Sequence, residues 1–201
     1  MLVEAVVRGW LDAKAPRLSP STVSRYEVAL KHIVPAIGGI SVARLRTRDV
    51  EDFYGRLHAK GLSGSSIRKV HWAMRQSLAW AKRRGYIATL ATEGVELPPL
   101  GEKPLAPPSS KSVRRLVQRA VADDPDFATL LAVIAWTGCR RSEACGLRWQ
   151  DIDLERATML IERAIAAIPG GTQEKTTKTG AARRIAIGAA TRQLLQEHLA
   201  R

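Results

Sequence analysis

Thr137-Gly138-Cys139-Arg140-Arg141-Ser142-Glu143-Ala144-Cys145-Gly146-Leu147-Arg148-Trp149-Gln150-Asp151-Ile152-Asp153 is the stretch on which the fold turns. An apolar helical pattern at about Asp126–Trp136 runs into it and stops at Gly138, a residue suited to the left-handed turn that ends helices. A short helix follows almost at once, read from Ser142 to about Arg148. Arg140 and Glu143 stand three apart and share a face near its N-terminus. A planar guanidinium, unpaired backbone N–H groups and the positive end of a helix dipole all favour phosphate. The same residues also fit a surface salt bridge in a tight turn, and the stretch alone leaves both readings open.

Downstream the periodicity changes. Ala157–Arg163 alternates with β-period, Pro169-Gly170-Gly171 supplies a turn, and Arg184-Ile185-Ala186-Ile187 alternates again. A small sheet of two or three strands is expected, then a helix from Thr191 to Arg201. Upstream, helical pattern covers Ser110–Ala122. Residues 97–109 hold five prolines. Proline removes donors and disfavours helix at the residue before it, so 97–109 reads as an interdomain linker.

Residues 1–96 read as an all-helical domain. Leu2, Val3, Val6, Val7, Trp10 and Leu11 recur at helical spacing. Ser19-Pro20 opens a second helix that Gly38-Gly39 stops, and Thr47 is positioned to cap a third. Ser63–Arg84 is the longest, with an apolar stripe of Ile67, Val70, Met74, Leu78 and Ala81. A second stripe, Arg68, Trp72, Arg75, Ala79 and Lys82, runs beside it. Cations at heptad spacing with an aromatic between them suit groove phosphates, and they equally describe a solvated helix face.

The formal net charge of +13 decides between those two readings in favour of nucleic acid. It is spread over both halves, +8 on residues 1–100 and +5 on residues 101–201, and interleaved with apolar residues as on folded surfaces. The two cysteines, Cys139 and Cys145, form no C-x-x-C pair, which excludes a disulfide framework and argues against a metal site. The first residues lack the basic start of a signal peptide, and no apolar run approaches the ~18 residues of a membrane span. A reducing cytoplasm and no membrane partner are expected.

The pattern Thr-Gly-x-Arg-x-x-Glu-x-x-x-Leu-x-Trp-x-Asp-Ile at 137–152 resembles the first active-site box of tyrosine recombinases of the phage integrase type. A second element, Thr177-Lys178-Thr179-Gly180-Ala181-Ala182-Arg183-Arg184-Ile185-Ala186-Ile187, resembles the family's β-hairpin lysine, a Lys-Thr followed by Arg-x-Ile before a strand. The helical first domain is similar to the family's core-binding domain. The expected fold is therefore mainly α: a helical, SAM-like DNA-binding domain at 1–96, the linker at 97–109, and at 110–201 the first part of an α+β recombinase catalytic domain with a small antiparallel sheet.

The resemblance implies transesterification at a DNA phosphodiester. A tyrosine hydroxyl attacks, a 3′-phosphotyrosyl intermediate forms and a 5′-hydroxyl leaves, with no metal or nucleotide cofactor. Cations must surround the developing charge and an acid must protonate the leaving oxygen. Arg140 matches the arginine that grips the scissile phosphate, Lys178 the lysine that protonates the 5′-oxygen, and Glu143 the acidic position, expected to orient Arg140. Arg141 is given no role. Arg68, Arg75 and Lys82 are the expected DNA contacts outside the box. Double-stranded DNA is the expected partner, with the complete protein acting as a tetramer on two duplexes.

The family further expects a His-x-x-Arg box, another His or Trp, and a tyrosine nucleophile downstream. Tyr26, Tyr54 and Tyr86 all precede Arg140, and His198 is not taken as that box. Covalent catalysis by these 201 residues alone is therefore not expected. Besides part of an active integrase, the sequence admits a binding-only DNA protein or integrase remnant. It also admits an unrelated basic helical protein for RNA or a membrane, which the two-part layout and the hairpin disfavour.

Overall fold

A computed structural model describes residues 1–101, 106–168, 170–176 and 180–201. The chain is mainly helical with small antiparallel sheets, and it divides into two compact units, Met1–Pro104 and Leu105–Arg201.

The first unit is built from α1 (Val3–Lys14), α2 (Pro20–Ile37), α3 (Thr47–Ala59) and α4 (Gly64–Arg83). Its core is the set of apolar stripes legible in the sequence. Val3, Val6, Val7, Trp10 and Leu11 of α1 meet Ile67, Val70, Met74, Leu78 and Ala81 of α4, with Phe53 and Tyr54 of α3 and Ile33 of α2 filling in, all buried. Each large side chain taken out of water contributes about 2 kcal/mol against the entropy of ordering the chain. Two helix starts differ from expectation. Thr47 does not cap α3; the Asp49 carboxylate accepts the backbone N–H of Arg46 at 2.9 Å and does that work. Ser19 makes no side-chain bond to the backbone of α2, its hydroxyl pairing with those of Ser21 and Thr22 instead. The four helices are followed by residues 97–99, which return to α4. A Cβ at Gly64 would lie 2.3 Å from the carbonyl oxygen of Pro99, so only glycine lets that segment approach.

Among the described residues the second unit has α5 (Ser110–Asp123), α6 (Pro125–Thr137), α7 (Arg141–Ala144) and α8 (Ala189–Ala200) around five strands. The strands are β1 (Ile152–Asp153), β2 (Thr158–Ile161), β3 (Arg163–Ile168), β4 (Gly171–Thr176) and β5 (Arg183–Ala186). They form two sheets rather than one: β1-β2-β5 and the separate hairpin β3-β4, antiparallel throughout. The single alternating run read at 157–163 is broken. Ala157 takes a positive φ of 49° as the chain enters β2, and Glu162 separates β2 from β3. Val133, Cys139, Ala144, Met159, Ile161, Ile187 and Leu195 make the core of this unit.

The helix read as Ser142 to about Arg148 is shorter and earlier, a single turn at Arg141–Ala144. Gly146 explains its end. A Cβ there would lie 3.2 Å from the Ala164 Cα and from the Arg163 carbonyl, so β3 packs directly on the backbone just after α7. Gly138 ends α6 in the left-handed conformation, φ 67°, as its position in the sequence predicts.

Candidate nucleic-acid interface and phosphate site

Glu143 organises the surroundings of Arg140. Its carboxylate is 1% exposed and takes four contacts. Oε1 accepts from Arg140 Nη1 at 2.8 Å and Arg183 Nη1 at 3.4 Å; Oε2 accepts from Arg183 Nη2 at 2.6 Å and the Arg140 backbone N–H at 2.9 Å. Hydrogen bonds from Arg183, with those from the Arg140 backbone and guanidinium, outweigh the cost of burial and hold the acid down at about 2. Glu143 is thus a charged, bond-saturated acceptor, suited to orienting arginines and unsuited to taking a proton.

Arg140 sits in extended backbone at the residue before α7. Its N–H is occupied by Glu143 and α7 is one turn long, so the backbone donors and dipole invoked from sequence are not what this position offers. The guanidinium is. Its side chain is 55% exposed, and among the described residues only Nη1 is engaged, leaving Nε and Nη2 for an incoming anion. Arg141, next to it, is exposed, and the hydrogen bonds to the Glu143 carboxylate come from Arg140 and Arg183.

Arg183 is the residue the sequence quoted but did not assign. It opens β5 and reaches Glu143 across forty positions of chain with both terminal nitrogens. The signal was present in the strand alternation: Arg183 and Ile185 are half-buried while Arg184 and Ala186 are exposed, so of the two adjacent arginines the first faces inward. Lys178 lies outside the described residues. The described strands on either side are β4, ending at Thr176, and β5, starting at Arg183.

A second ionic cluster fixes the hairpin to the box. Arg163, at the start of β3, is 12% exposed and bonds Asp151 at 2.9 Å, with Glu162 and Glu174 also against it. Asp151 accepts the Arg148 backbone N–H at 3.0 Å, and the Arg148 side chain meets Glu174 on β4 at 2.7 Å. Nothing in the sequence pairs residues twelve and twenty-six positions apart, so this cluster was missed.

On α4, Trp72 (58% exposed), Arg75 and Lys82 stand open to solvent on one stripe. Arg68 does not stand with them. It is half-buried, and its Nη2 donates to the Pro98 carbonyl at 3.3 Å. The linker-ward segment therefore competes for a guanidinium that the sequence assigned to DNA.

His198 and Arg201 require a correction, because His198-Leu199-Ala200-Arg201 does satisfy His-x-x-Arg spacing. They close α8 onto the start of α6. His198 Nδ1 lies 3.0 Å and Arg201 Nη2 2.9 Å from one Asp126 oxygen, with the Trp149 ring against His198. No contact joins them to Arg140, Glu143 or Arg183 among the described residues. They serve as a helix-to-helix tie. The three tyrosines belong to the first unit: Tyr54 is buried, its hydroxyl pushed well up by desolvation, while Tyr26 packs edge-on to Trp10 and Tyr86 tilts against Trp80. Among the described residues no cluster of His, Cys, Asp or Glu is arranged to hold a metal, and no helix is long and apolar enough to cross a membrane.

Comparison with known proteins accounts for both units. Residues 13–85 match the model of the phage integrase N-terminal SAM-like domain, and residues 109–201 that of the phage integrase family. An integrase of Saccharopolyspora erythraea is 24% identical over 81% of this chain and 38% of its own length. Tyrosine recombinase XerC of Xanthomonas campestris pv. campestris is 28% identical over 72% of this chain and 47% of its own. The chain thus spans about half, or less, of these relatives. The fold is that of the Tn1549 transposon integrase solved with a circular intermediate DNA, with a TM-score of 0.88 and 17% identity over 100% of this chain and 65% of that one. The lambda integrase dimer bound to a COC′ core site gives 0.79 with 14% identity, over 98% and 69%. With two models of one family matched in order along it, a box at Thr137–Asp153 folded around Arg140 and Glu143, and recombinases as its relatives, the chain belongs to the phage integrase family of tyrosine recombinases.

Proposed function

We propose that these 201 residues are a DNA-binding part of a site-specific recombinase, gripping duplex DNA and presenting Arg140 to a backbone phosphate. The observation that carries this is the Arg140–Glu143 pair: a half-exposed guanidinium oriented by a fully buried carboxylate, with donors left over. A surface salt bridge would not bury its acid to 1% or share it with a second arginine. In the whole protein Arg140 would stabilise charge on the non-bridging oxygens, and Lys178 would donate the proton to the leaving 5′-oxygen. For the whole protein a nucleophilic tyrosine, a 3′-phosphotyrosyl intermediate and action as a tetramer on two duplexes are part of the proposal, and family membership supports them. A solved lambda integrase tetramer on a Holliday junction, of the same fold, supports that assembly. No cofactor is assigned, and the compartment proposed is the cytoplasm.

Arg75, Lys82 and Trp72 supply the first unit's share of the DNA surface, with Arg68 joining once released from Pro98. The test is competition. A labelled duplex bound by the chain is challenged with unlabelled duplex DNA, double-stranded RNA and anionic lipid vesicles. Duplex DNA is expected to compete at the lowest concentration. Preference for RNA or vesicles, or no duplex binding at low salt, overturns the proposal.

A further inference from the structure

Arg140 and Arg183 share one carboxylate but use it differently. Arg183 places both terminal nitrogens on Glu143, at 2.6 and 3.4 Å, in the forked geometry that fixes a guanidinium against a carboxylate. Arg140 spends one nitrogen of its side chain there. One arginine is committed to the acid and the other keeps donors for a ligand.

The charges matter as much as the geometry. Arg140 and Glu143 alone sum to zero, a poor site for an anion. With Arg183 the trio carries +1 around a buried carboxylate. Arg183 also opens β5, so the same contact ties the start of that strand to the carboxylate that orients Arg140.

Resting on the proposed DNA function, we infer that Arg183 is a positioning residue of the phosphate site: its fork holds the Glu143 carboxylate and offsets its charge, so that Arg140 is oriented without being neutralised. It acts through Glu143 rather than on the phosphate itself. The consequence is specific. Removing Arg183 weakens anion binding at Arg140, and removing the Glu143 charge as well restores it, because the net charge returns to +1.

The test follows the Arg140 Nε–Hε signal by NMR in the 201-residue chain. Duplex DNA is added first. A signal that does not move in the wild type overturns the function proposed above, and this inference with it. Inorganic phosphate is then titrated at fixed ionic strength into the wild type, Arg183→Gln, Glu143→Gln and the double variant. The midpoint is expected to rise roughly fivefold in Arg183→Gln, the effect of one charge several ångströms away in a partly solvated site. It is expected to return near the wild-type value in the double variant. A DNA-responsive Arg140 with an unchanged phosphate midpoint in Arg183→Gln, or a double variant no better than the single, overturns the inference alone. Should Arg183→Gln fail to fold, Arg183→Lys decides: it keeps the charge, loses the fork, and is expected to shift the midpoint about twofold, whereas no shift overturns the inference.

Discussion

The Arg163 guanidinium lies 2.9 Å from the Asp151 carboxylate, with the two side chains 12% and 4% exposed. This pair ties the first residue of the β3-β4 hairpin to the turn Trp149–Asp151 near the end of the Arg140 box. Because β3 also packs on the Gly146 backbone, box and hairpin meet at both a close contact and an ion pair.

Asp151→Ala leaves Arg163 buried with only peripheral partners, and the backbone N–H of Arg148 without its acceptor. The expected loss is about 3 kcal/mol, the size found when one member of a buried pair is removed. Urea unfolding of the second unit reads it. A loss under about 1 kcal/mol would show that Glu162 and Glu174 suffice to hold Arg163.

Glu143 gives a pH dependence of known sign. Its folded pKa, about 2, lies below the ordinary carboxylate value of 4.5. Its contribution to stability is therefore complete above about pH 4.5 and lost as pH falls through about 2. The difference in unfolding free energy between wild type and Glu143→Gln should shrink by on the order of 3 kcal/mol across that window. A difference constant from pH 6 to pH 2.5 contradicts the assignment.

His71 titrates with the same sign by another cause. Burial first, then Arg75 and Arg68, lower its pKa, and its Nδ1 faces the Tyr54 hydroxyl at 3.2 Å. The folded state favours the neutral ring. The stabilising contribution is full above about pH 6.5, the ordinary histidine value, and is lost as pH falls below it. DNA phosphates on Arg75 would remove part of the repulsion, so the His71 pKa should rise on DNA binding. An NMR titration of the ring protons with and without duplex checks this, and a fall on binding would place the phosphates elsewhere.

Gly64 is the point where residues 97–99 rest on α4. Gly64→Ala puts a Cβ within 2.3 Å of the Pro99 carbonyl, so the segment must lift and release Arg68 from Pro98. Faster proteolysis at residues 97–101 is expected, with the α1–α4 core intact. Unchanged cleavage would mean the contact does not hold the segment.

The helical unit was legible because its information is local. Heptad-like stripes such as Ile67–Val70–Met74–Leu78–Ala81 name the core outright, and every one of these residues is buried. The Arg140–Glu143 pair was legible because three residues separate its members. The arrangement that gives the pair its character was not. Arg183 reaches Glu143 from forty residues away, and Arg163 reaches Asp151 from twelve, through a strand order that alternation cannot reveal. The splitting of one expected strand into β2 and β3 has the same origin: the break at Glu162 separates a strand paired with β5 from one paired with β4 and packed on Gly146. Arg68 shows the converse limit. Spacing placed it on the DNA stripe, but spacing is blind to a carbonyl thirty residues on.

The most direct test of DNA binding by this chain is the salt dependence of its affinity for duplex DNA, compared with the chain carrying Arg68→Ala, Arg75→Ala and Lys82→Ala together. The wild-type log affinity should fall linearly with log salt, and the triple variant should flatten that slope by up to about three units, with Arg68 supplying the smallest share. Arg140→Ala should leave non-specific affinity nearly intact, since it removes a single phosphate contact. A salt-independent affinity contradicts DNA binding itself, and an unchanged slope in the triple variant rules out α4 as the DNA surface.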